Sequence, residues 1–411
     1  MVVIIEPQCR GFAHEQFNAA FLYGYSLAYP EEEIFFFGEK EHISLVKAAI
    51  KSSQLSIKNF QFKELIIPES QSISNPIVIF QFVKILKTVL DFCVQNNCTK
   101  IAFLSIYTYN LIPLKYLLNF KYKNSFKVHI VMHGTLEFIK RKNFTFFSQN
   151  FKRLVNYLKR ILNIKTKLLS FGPVNRFLYE KLFKLTLKLT GNQNITYFVM
   201  REDSLARINN YLPKESKYFK AIDLPYIYNN NTKRVITASD QLTFATFGKG
   251  NTNEFQQIAD YFALENCNKA NSKLIIIGGD LLDEFDKYEQ IEYPIKNRRF
   301  TRLELEDILQ RVDYFIYLYD EDSYELTTSG AFFDAIAYFK PMVFLKNHCF
   351  DHYYEQYKFG YKCQNINGML LTLDTVIENH EENYKGLLTE IRRMQNDTSI
   401  THNYSKLYFD D

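Results

Sequence analysis

The sequence predicts an α/β fold with two domains, each a mostly parallel sheet that helices cover on both faces. Short apolar stretches rich in β-branched and aromatic residues alternate with helical patterns, which is typical of parallel sheets. The chain has 411 residues, and 47% of them are apolar. A chain of this length is longer than one hydrophobic core usually supports. We therefore predict a first domain over residues 1–235 and a second over residues 236–411.

The predicted strands form two series separated by a polar stretch. The first series comprises "VVIIE", "IFFFG", "ELIIP", "KIAFLSI", "KVHIVMHG", "ITYFVM" and "DLPYIY". The second comprises "LTFATFGKG", "KLIIIGGD", "DYFIYLY", "KPMVFL" and "GYKCQ". Between them, "YIYNNNTKRVITASDQ" lacks periodicity and is predicted to be the linker. A final helical pattern ends near Asn396, and we expect this helix to pack back on the first domain.

The N-terminal sequence, the lengths of the apolar runs and the cysteines indicate in which cellular compartment the protein functions. The opening stretch "MVVIIEPQC" has neither a basic start nor a long apolar run, and no apolar run reaches the roughly 20 residues of a membrane-spanning helix. We therefore expect a cytoplasmic protein without a leader or an anchor. The six cysteines are scattered, without a Cys-x-x-Cys pair or histidines at zinc spacing. They are predicted to be reduced thiols in the core.

Residues 140–190 concentrate the positive charge of the chain. They contain thirteen Lys and Arg and one acid, Glu180, although the whole chain carries a net charge of only +5. Apolar residues recur at helical spacing in this segment, which predicts two basic amphipathic helices. Such helices favour anionic lipid, at about 1 kcal/mol per Lys or Arg. Ordinary core-covering helices with solvated lysines are the alternative. Since no nucleic-acid-binding module accompanies the charge, we expect no nucleic acid partner.

The stretch "DYFIYLYDEDSYELTTSG" predicts a buried strand, a polar loop and the start of the helix "AFFDAIAYF". Thr328 or Ser329 is a suitable N-cap, which leaves the first helix amides unpaired at the carboxyl end of the strand. These amides and the helix dipole favour a phosphate, and Gly330 has no side chain to block it. Asp334 shares a helical face with Gly330 and could accept hydrogen bonds from two ribose hydroxyls. The pattern therefore suggests a nucleotide site, and an Asp that only pairs locally is the alternative.

This stretch resembles a known family. "SGAFFDAIAYFKPMVF", preceded by "RFTRLELEDILQRVDYFIYLY", is similar to the C-terminal domain of GT-B glycosyltransferases, in particular retaining family 4 members of the bacterial surface polysaccharide type. The resemblance covers most of residues 240–365 and implies two Rossmann-like domains facing each other across a cleft. Many retaining members have a Glu, seven residues and a second Glu across this helix. The second Glu corresponds to Asp334, and the first falls on Leu326, beside Glu325. Phe339 replaces the usual Gly of the Gly-Lys-Pro turn.

The resemblance also implies how the donor is held. Lys249 in "FGKGN" would neutralise the departing diphosphate, and Arg298 and Arg299 would contact phosphate or base. No Asp-x-Asp motif occurs in a context suited to a metal, so we expect neither a metal ion nor a cofactor, with helix amides and Lys249 stabilising the leaving nucleotide. The nucleotide-binding residues expected in this domain are Gly248, Arg298, Arg299, Tyr324, Glu325, Thr328, Ser329, Gly330 and Asp334.

The first domain should supply the acceptor side. Its first strand precedes "EPQCRGFAHEQFNAAFL", a loop at a strand's carboxyl end, where α/β sheets place ligands. Gly11 permits a turn, Arg10 could hold an anionic group, and Glu15 or His14 could act as general base toward an acceptor hydroxyl. His133 ends the strand "KVHIVMHG", and the resemblance implies that it approaches the donor sugar. His129, inside the same strand, is predicted to be a core residue.

Together with these observations, the resemblance implies a metal-independent glycosyltransferase that moves a sugar from a nucleotide-sugar donor to a glycan or lipid-linked acceptor. The resemblance implies synthesis of a bacterial surface polysaccharide such as lipopolysaccharide, O-antigen or capsule. The basic segment predicts peripheral attachment to the anionic inner face of the cytoplasmic membrane. Two alternatives remain open. They are a sugar-nucleotide epimerase on the same architecture and a non-catalytic binding module.

Overall fold

The computed structural model describes residues 1–11, 13–53, 55, 57, 59–68, 76–123, 125–139, 183–188, 194–228, 241–248, 252–263, 272–277, 288–295 and 300–409. Four predicted features lie outside these residues: most of the basic segment, the greater part of the linker with the boundary at residues 235 and 236, Lys249, and the pair Arg298 and Arg299. Within the basic segment, residues 183–188 are described and helical.

Two parallel sheets form the framework. The first has the strand order β3-β2-β1-β4-β5-β6-β7 and the second β10-β9-β8-β11-β12-β13. Most central strands are buried along their whole length, which explains their continuous apolar sequences. The strands are β1 Val2–Ile5, β2 Ile34–Gly38, β3 Phe60–Glu64, β4 Lys100–Phe103, β5 Lys127–Val131, β6 Ile195–Val199, β7 Phe219–Ala221, β8 Leu242–Phe247, β9 Ser272–Ile277, β10 Ile291–Glu292, β11 Tyr314–Tyr317, β12 Met342–Leu345 and β13 Gly360–Cys363.

Helices alternate with these strands, as the sequence predicts. They are α1 Glu15–Ala28, α2 Lys40–Ser52, α3 Pro76–Gln95, α4 Thr108–Tyr116, α5 Glu202–Tyr211, α6 Thr252–Ala263, α7 Arg302–Arg311, α8 Gly330–Ala337, α9 His348–Tyr354, α10 Ile366–Thr398 and α11 Ile400–Asn403. A 3₁₀ turn, Thr135–Ile139, follows β5. The predicted class, an α/β protein with two parallel sheets, is confirmed.

Two local predictions were wrong at the end of the first domain. The stretch "DLPYIY" was predicted as a strand, but β7 ends at Ala221, and residues 223–228 belong to neither sheet. Pro225 has no N–H to donate to a ladder. The linker was also predicted to begin at Tyr226, whereas the side chains of Tyr226 and Ile227 are buried. These side chains pack in the core cluster and belong to the fold.

The end of the chain packs on the first domain. After α10, which has a non-helical residue at Asn379, α11 and the residues that follow it contact α1. A Cβ on Gly24 would lie 2.7 Å from the Leu407 side chain and 2.8 Å from the Ile400 side chain, so a larger residue there would force these side chains to shift. The backbone N–H of Phe409 donates to the Tyr29 hydroxyl at 2.6 Å. The Phe409 ring stacks on His129 with centroids 3.7 Å apart.

Two further predictions concern the core and the membrane. His129 is buried, as predicted, and its Nδ1 lies 2.9 Å from the Tyr25 hydroxyl. The five cysteines among the described residues are buried free thiols, in agreement with the prediction. None of the described helices combines the length and the apolar character needed to cross a membrane.

Candidate active site

A cleft of about 210 Å³ lies where the two domains meet. Its walls come from loops at the carboxyl ends of strands and from the helices that follow them, which is where ligands bind in open α/β sheets. The first domain contributes the start of α1, the end of β5 and the segment after β7, and the second contributes the starts of α7 and α8. The lining residues are His14, Glu15, Gln16, Phe17, His133, Leu224, Tyr226, Phe300, Thr301, Arg302, Leu305, Gly330 and Asp334.

The start of α8 opens into this cleft. Ser329 is the N-cap, one of the two residues predicted for this role, and its Oγ accepts a hydrogen bond from the Phe332 amide at 3.3 Å. No heavy atom lies within 4 Å of the position that a Cβ on Gly330 would take. The amides of the first turn therefore border open space, and the positive end of the helix dipole faces the cleft.

Asp334 lies one helical turn after Gly330 on α8, and neighbouring residues hold one oxygen of its carboxylate. Its Oδ1 accepts hydrogen bonds from Arg302 Nη1 at 3.0 Å and from the Tyr226 hydroxyl. Arg302 is in turn fixed by Glu306, whose Oε1 accepts from Arg302 Nε at 3.0 Å, and by the Tyr338 hydroxyl at 3.2 Å. The Asp334 side chain is 18% exposed. Among the described residues Oδ2 has no hydrogen-bond partner, so it can accept from a ligand in the cleft.

Sequence reasoning missed Arg302 and Tyr226. Arg302 is the first residue of α7, whose N-cap Thr301 forms a capping box with Glu304. The capping pattern Thr-x-x-Glu was available in the sequence and would have placed Arg302 at a helix start. Tyr226 gave no such signal because it precedes a polar run typical of a linker.

Two histidines meet on the opposite wall. His14 Nε2 lies 3.0 Å from His133 Nε2, and the rings are edge to face with centroids 4.2 Å apart. His133 also stacks on Phe17, centroid to centroid 5.2 Å. Burial lowers the pKa of His133 well below its ordinary value, and the neighbouring His14 lowers it further. His133 Nδ1 is buried and has no partner among the described residues.

Glu15, the first residue of α1, faces the same cleft. Burial raises the pKa of its carboxyl group, and the negative charges of Asp334 and Glu306 raise it further, against the opposing effect of Arg302. A carboxyl group with a raised pKa is better matched to proton transfer near neutral pH than an ordinary one. The three predicted residues His14, Glu15 and His133 are thus brought together, opposite Asp334 and Gly330.

A buried hydrogen-bond network holds the loop between β1 and α1, which precedes Glu15. Glu6, at the end of β1, accepts hydrogen bonds from the backbone N–H groups of Gln8 at 2.9 Å and Cys9 at 3.0 Å. It also accepts from Asn18 Nδ2 at 3.2 Å. His42 Nδ1 donates to the Gly11 carbonyl at 2.9 Å, so its Nε2, 2.7 Å from Asn18 Nδ2, accepts. Asn18 therefore fixes the loop and does not line the cleft.

Several predicted binding residues are not part of the lining of the cleft. Gly248 has a φ of +88°, and a Cβ there would collide with the Tyr319 hydroxyl, so this position requires glycine. Thr328 is buried, and its Oγ1 has no partner among the described residues. Arg10 is exposed, and Gly11 turns the chain beside Glu41 with a φ of +52°.

Glu325 and Tyr324 differ most from their predicted roles. Glu325 Oε1 accepts from the Tyr211 hydroxyl at 3.1 Å and lies 3.8 Å from Arg207, so its carboxylate points to α5 and away from the cleft. Tyr324 adopts a left-handed conformation with a φ of 58°, and its ring packs on Tyr319 with centroids 5.0 Å apart. Leu326, at the place of the first motif Glu, is fully buried.

The described part of the chain contains no group of three or more His, Cys, Asp or Glu side chains that could hold a metal ion. The polar groups that face the cleft there are hydrogen-bond donors, carboxylates and imidazoles. This set can bind an anion and hydroxyl groups and can move a proton.

Comparison with known proteins shows similarity at the level of structure. No family model matches the sequence, and the search of curated proteins found no match. WaaG, a glycosyltransferase involved in lipopolysaccharide biosynthesis, aligns with a TM-score of 0.58 and 10% identity over 99% of this chain and 98% of WaaG. A glycosyltransferase from Rickettsia africae ESF-5 aligns with a TM-score of 0.57 and 10% identity, over 99% and 96% of the two chains.

HepE from Anabaena, crystallised in complex with UDP and glucose, aligns with a TM-score of 0.60 and 9% identity over 99% of this chain and 97% of HepE. These alignments span both sheets of the protein, and their low identity limits what they show to the architecture. The protein has the GT-B fold, in which two Rossmann-like domains face each other across a cleft.

Proposed function

We propose that the protein is a glycosyltransferase that transfers a sugar from a nucleotide-sugar donor to a glycan or lipid-linked acceptor in bacterial surface polysaccharide synthesis. The observation that carries this proposal is the composition of one cleft. Gly330 and Asp334 of the second domain line it on one side, and His133 and Glu15 of the first domain line it on the other. In this proposal an anion and pentose site faces a proton-transfer site, which is the arrangement that glycosyl transfer requires.

On the donor side, the diphosphate would lie against the first amides of α8, where the space at Gly330 is open. Asp334 Oδ2 would accept hydrogen bonds from the ribose, while Arg302 and Tyr226 hold Oδ1 in place. The protein would work without a metal ion or a cofactor. Lys249, outside the described residues, and the α8 amides would together stabilise the negative charge of the leaving nucleotide.

On the acceptor side, Glu15 is the best general base because its raised pKa suits proton transfer. The acceptor oxygen forms a bond to the anomeric carbon as the bond from that carbon to the diphosphate oxygen breaks. The proton of the acceptor hydroxyl passes to Glu15, and the nucleotide leaves with the electron pair. His133, kept neutral by burial, would contact the donor sugar with His14 as its hydrogen-bond partner.

We also propose that the first domain binds an anionic membrane surface. Large apolar side chains are exposed on α3, at the end of α4, in the π-helical turn Leu117–Lys121 that follows it, and on the helical residues 183–188: Phe80 75%, Tyr116 62%, Phe120 71% and Leu185 55%. Lys115 Nζ donates to the Thr186 carbonyl at 2.7 Å, which brings two of these helices together. The exposed lysines of the same helices and of the turn after α4 are Lys84, Lys87, Lys121, Lys123 and Lys188. Asp91 is the single acidic residue of these helices and this turn. Their net positive charge therefore suits a surface of anionic lipid.

A donor screen tests the proposed activity. The full chain would be incubated with UDP-glucose, UDP-galactose, GDP-mannose or CMP-sialic acid, and nucleotide release would be measured with the sugar product identified by NMR. We expect release from one nucleotide class, and we expect His133→Ala to lower the turnover more than the nucleotide affinity. Release of an epimerised sugar would favour the epimerase, and binding of no nucleotide would favour the non-catalytic module. HepE was crystallised with UDP and glucose, so the UDP-sugars come first.

Vesicle flotation tests the membrane proposal. We expect the protein to float with vesicles that contain phosphatidylglycerol and not with neutral phosphatidylcholine vesicles. Replacing Tyr116 and Phe120 by Ser should reduce flotation. A matched control is Leu303→Ser, which changes an apolar residue of α7 that is 78% exposed, in the other domain. Equal flotation with both kinds of vesicle, or equal loss in the control, would exclude this surface.

A further inference from the structure

The loop that precedes α8 belongs to the second domain but is held by the first. Glu137 lies in the 3₁₀ turn after β5. Its Oε1 accepts a hydrogen bond from the Leu326 amide at 2.9 Å and another from Thr327 Oγ1 at 2.9 Å. Because a carboxylate oxygen accepts two bonds readily, one atom of the first domain fixes both the backbone and a side chain of this loop.

Arg201 binds the same loop from the other side. Its guanidinium donates to the carbonyls of Tyr324 at 3.0 Å, Glu325 at 2.9 Å and Thr327. The Arg201 side chain is fully buried, and Asp203 balances its charge with Oδ1 at 2.7 Å from Nε. Arginine suits this site because it presents several N–H donors in a rigid plane.

The loop also places an apolar side chain in the first domain. Leu326 is fully buried and packs in the core cluster formed by β1, β4, β5 and the helices α3 and α4. Separating the loop from the first domain would expose this side chain and remove the three carbonyl partners of Arg201. Both changes are costly, so residues 324–327 are fixed relative to the first sheet.

This contact connects the two halves of the candidate active site by a short path. Residues 324–327 continue directly into Thr328, Ser329 and Gly330, at the start of α8. Glu137 is four residues after His133 in the chain. The two hydrogen bonds of Glu137 therefore link the segment that carries His133 to the segment that carries the α8 amides.

We propose that Glu137 is a positioning residue that sets the α8 amides at their working distance from His133, a role that rests on the proposed glycosyl transfer. Arg201 and Leu326 would hold the loop on the first domain, and Glu137 would fix the position of the loop there. Simple packing between domains would instead make Glu137 one of many interchangeable contacts. The two views differ in what a change at Glu137 does to α8.

Hydrogen–deuterium exchange and UDP calorimetry on the full chain separate these views. In Glu137→Ala, the amides of residues 324–332 should exchange about tenfold faster, since two hydrogen bonds to a charged group are lost. The affinity for UDP should fall by a similar factor. Glu137→Gln retains a carbonyl oxygen that can accept both bonds, so it should restore wild-type exchange and affinity. Wild-type exchange at α8 in Glu137→Ala, or equal damage in Glu137→Gln, would overturn the proposal.

Two further variants complete the experiment. Thr327→Val removes one of the two hydrogen bonds with little change of shape, and it should give a smaller effect in the same direction even if Glu137→Ala fails to fold. Glu292→Ala is the matched control because Glu292 pairs with Arg311 and Lys273 away from the cleft. It should leave exchange at residues 324–332 and UDP binding unchanged. If the wild type binds no UDP, the donor assignment fails, and the exchange data still test the link.

Discussion

His14 Nε2 lies 3.0 Å from His133 Nε2, although the two residues are 119 positions apart in the chain. Two imidazole nitrogens can form a hydrogen bond only if one carries a proton and the other does not. The contact therefore requires that His133 and His14 differ in the state of their Nε2 atoms. If both imidazoles were doubly protonated, each Nε2 would carry a proton, the hydrogen bond would break, and two positive charges would lie side by side.

This contact predicts an unusual titration. His133 should remain neutral through the pH range in which an ordinary histidine, with a pKa of 6.5, takes up a proton, because burial and His14 both disfavour its charge. Histidine ring ¹⁵N shifts, assigned with the variant His133→Gln, would measure this from pH 8 to pH 5. Titration of His133 near pH 6.5 would contradict the prediction that burial and His14 keep this imidazole neutral.

Open space at Gly330 predicts that a side chain there blocks the ligand and leaves the fold intact. No heavy atom lies within 4 Å of a Cβ at this position, so Gly330→Val should leave the melting temperature close to that of the wild type. UDP affinity should fall at least about tenfold because the side chain occupies the place of the phosphate. Gly386→Val is the control, since Gly386 is equally open but lies on α10. Unchanged binding in Gly330→Val would place the phosphate elsewhere.

Burial of His129 predicts a pH-dependent loss of stability. Burial lowers the pKa of His129 to about 3, from the ordinary value of 6.5 that it has in the unfolded chain. Between these values the unfolded state binds a proton that the folded state does not, so stability falls as the pH drops below 6.5. The expected loss is about 1.4 kcal/mol per pH unit. Urea unfolding at pH 7, 6 and 5 should show this extra slope in the wild type and not in His129→Gln. Parallel slopes would contradict the prediction.

The end of α8 predicts a specific effect of glycine at position 339. The Lys340 amide donates to the Ala335 carbonyl and the Phe339 amide to the Ile336 carbonyl, both within 3.1 Å, which is the Schellman pattern. Phe339 has a φ of 54°, where a side chain costs about 1–2 kcal/mol. Both Phe339→Gly and Phe339→Ala lose the ring, so Phe339→Gly should be the more stable variant by about 1 kcal/mol. An equal or greater stability of Phe339→Ala in urea would refute this explanation.

Local sequence signals accounted for much of the fold and for part of the site. Strand and helix alternation predicted both sheets, and the Ser-Gly pair predicted the cap of α8. His129 was correctly predicted as a core residue because it lies in the middle of an apolar strand. These predictions succeeded because the determining partners are a few residues away.

The site residues that were missed or misplaced depend on partners far along the chain. Tyr226 contacts Asp334 at a separation of 108 positions, and Arg201 contacts Thr327 at a separation of 126. Glu325 appeared suited to the donor pocket by its position in the loop, but Tyr211 holds its carboxylate on the other side. No local pattern distinguishes these tertiary pairings from ordinary surface residues.

The central claim is that Asp334 and the start of α8 form a nucleotide site, and calorimetric titration of UDP, GDP and CMP into the wild type and Asp334→Ala tests it most directly. The control is Asp374→Ala, which removes a similar bond from a tyrosine, Tyr261, at 2.6 Å, outside the cleft. We expect one nucleotide to bind the wild type and the control alike, and Asp334→Ala to bind it more weakly by about 1–3 kcal/mol. Absence of binding to the wild type, or equal affinity in Asp334→Ala, would contradict the account.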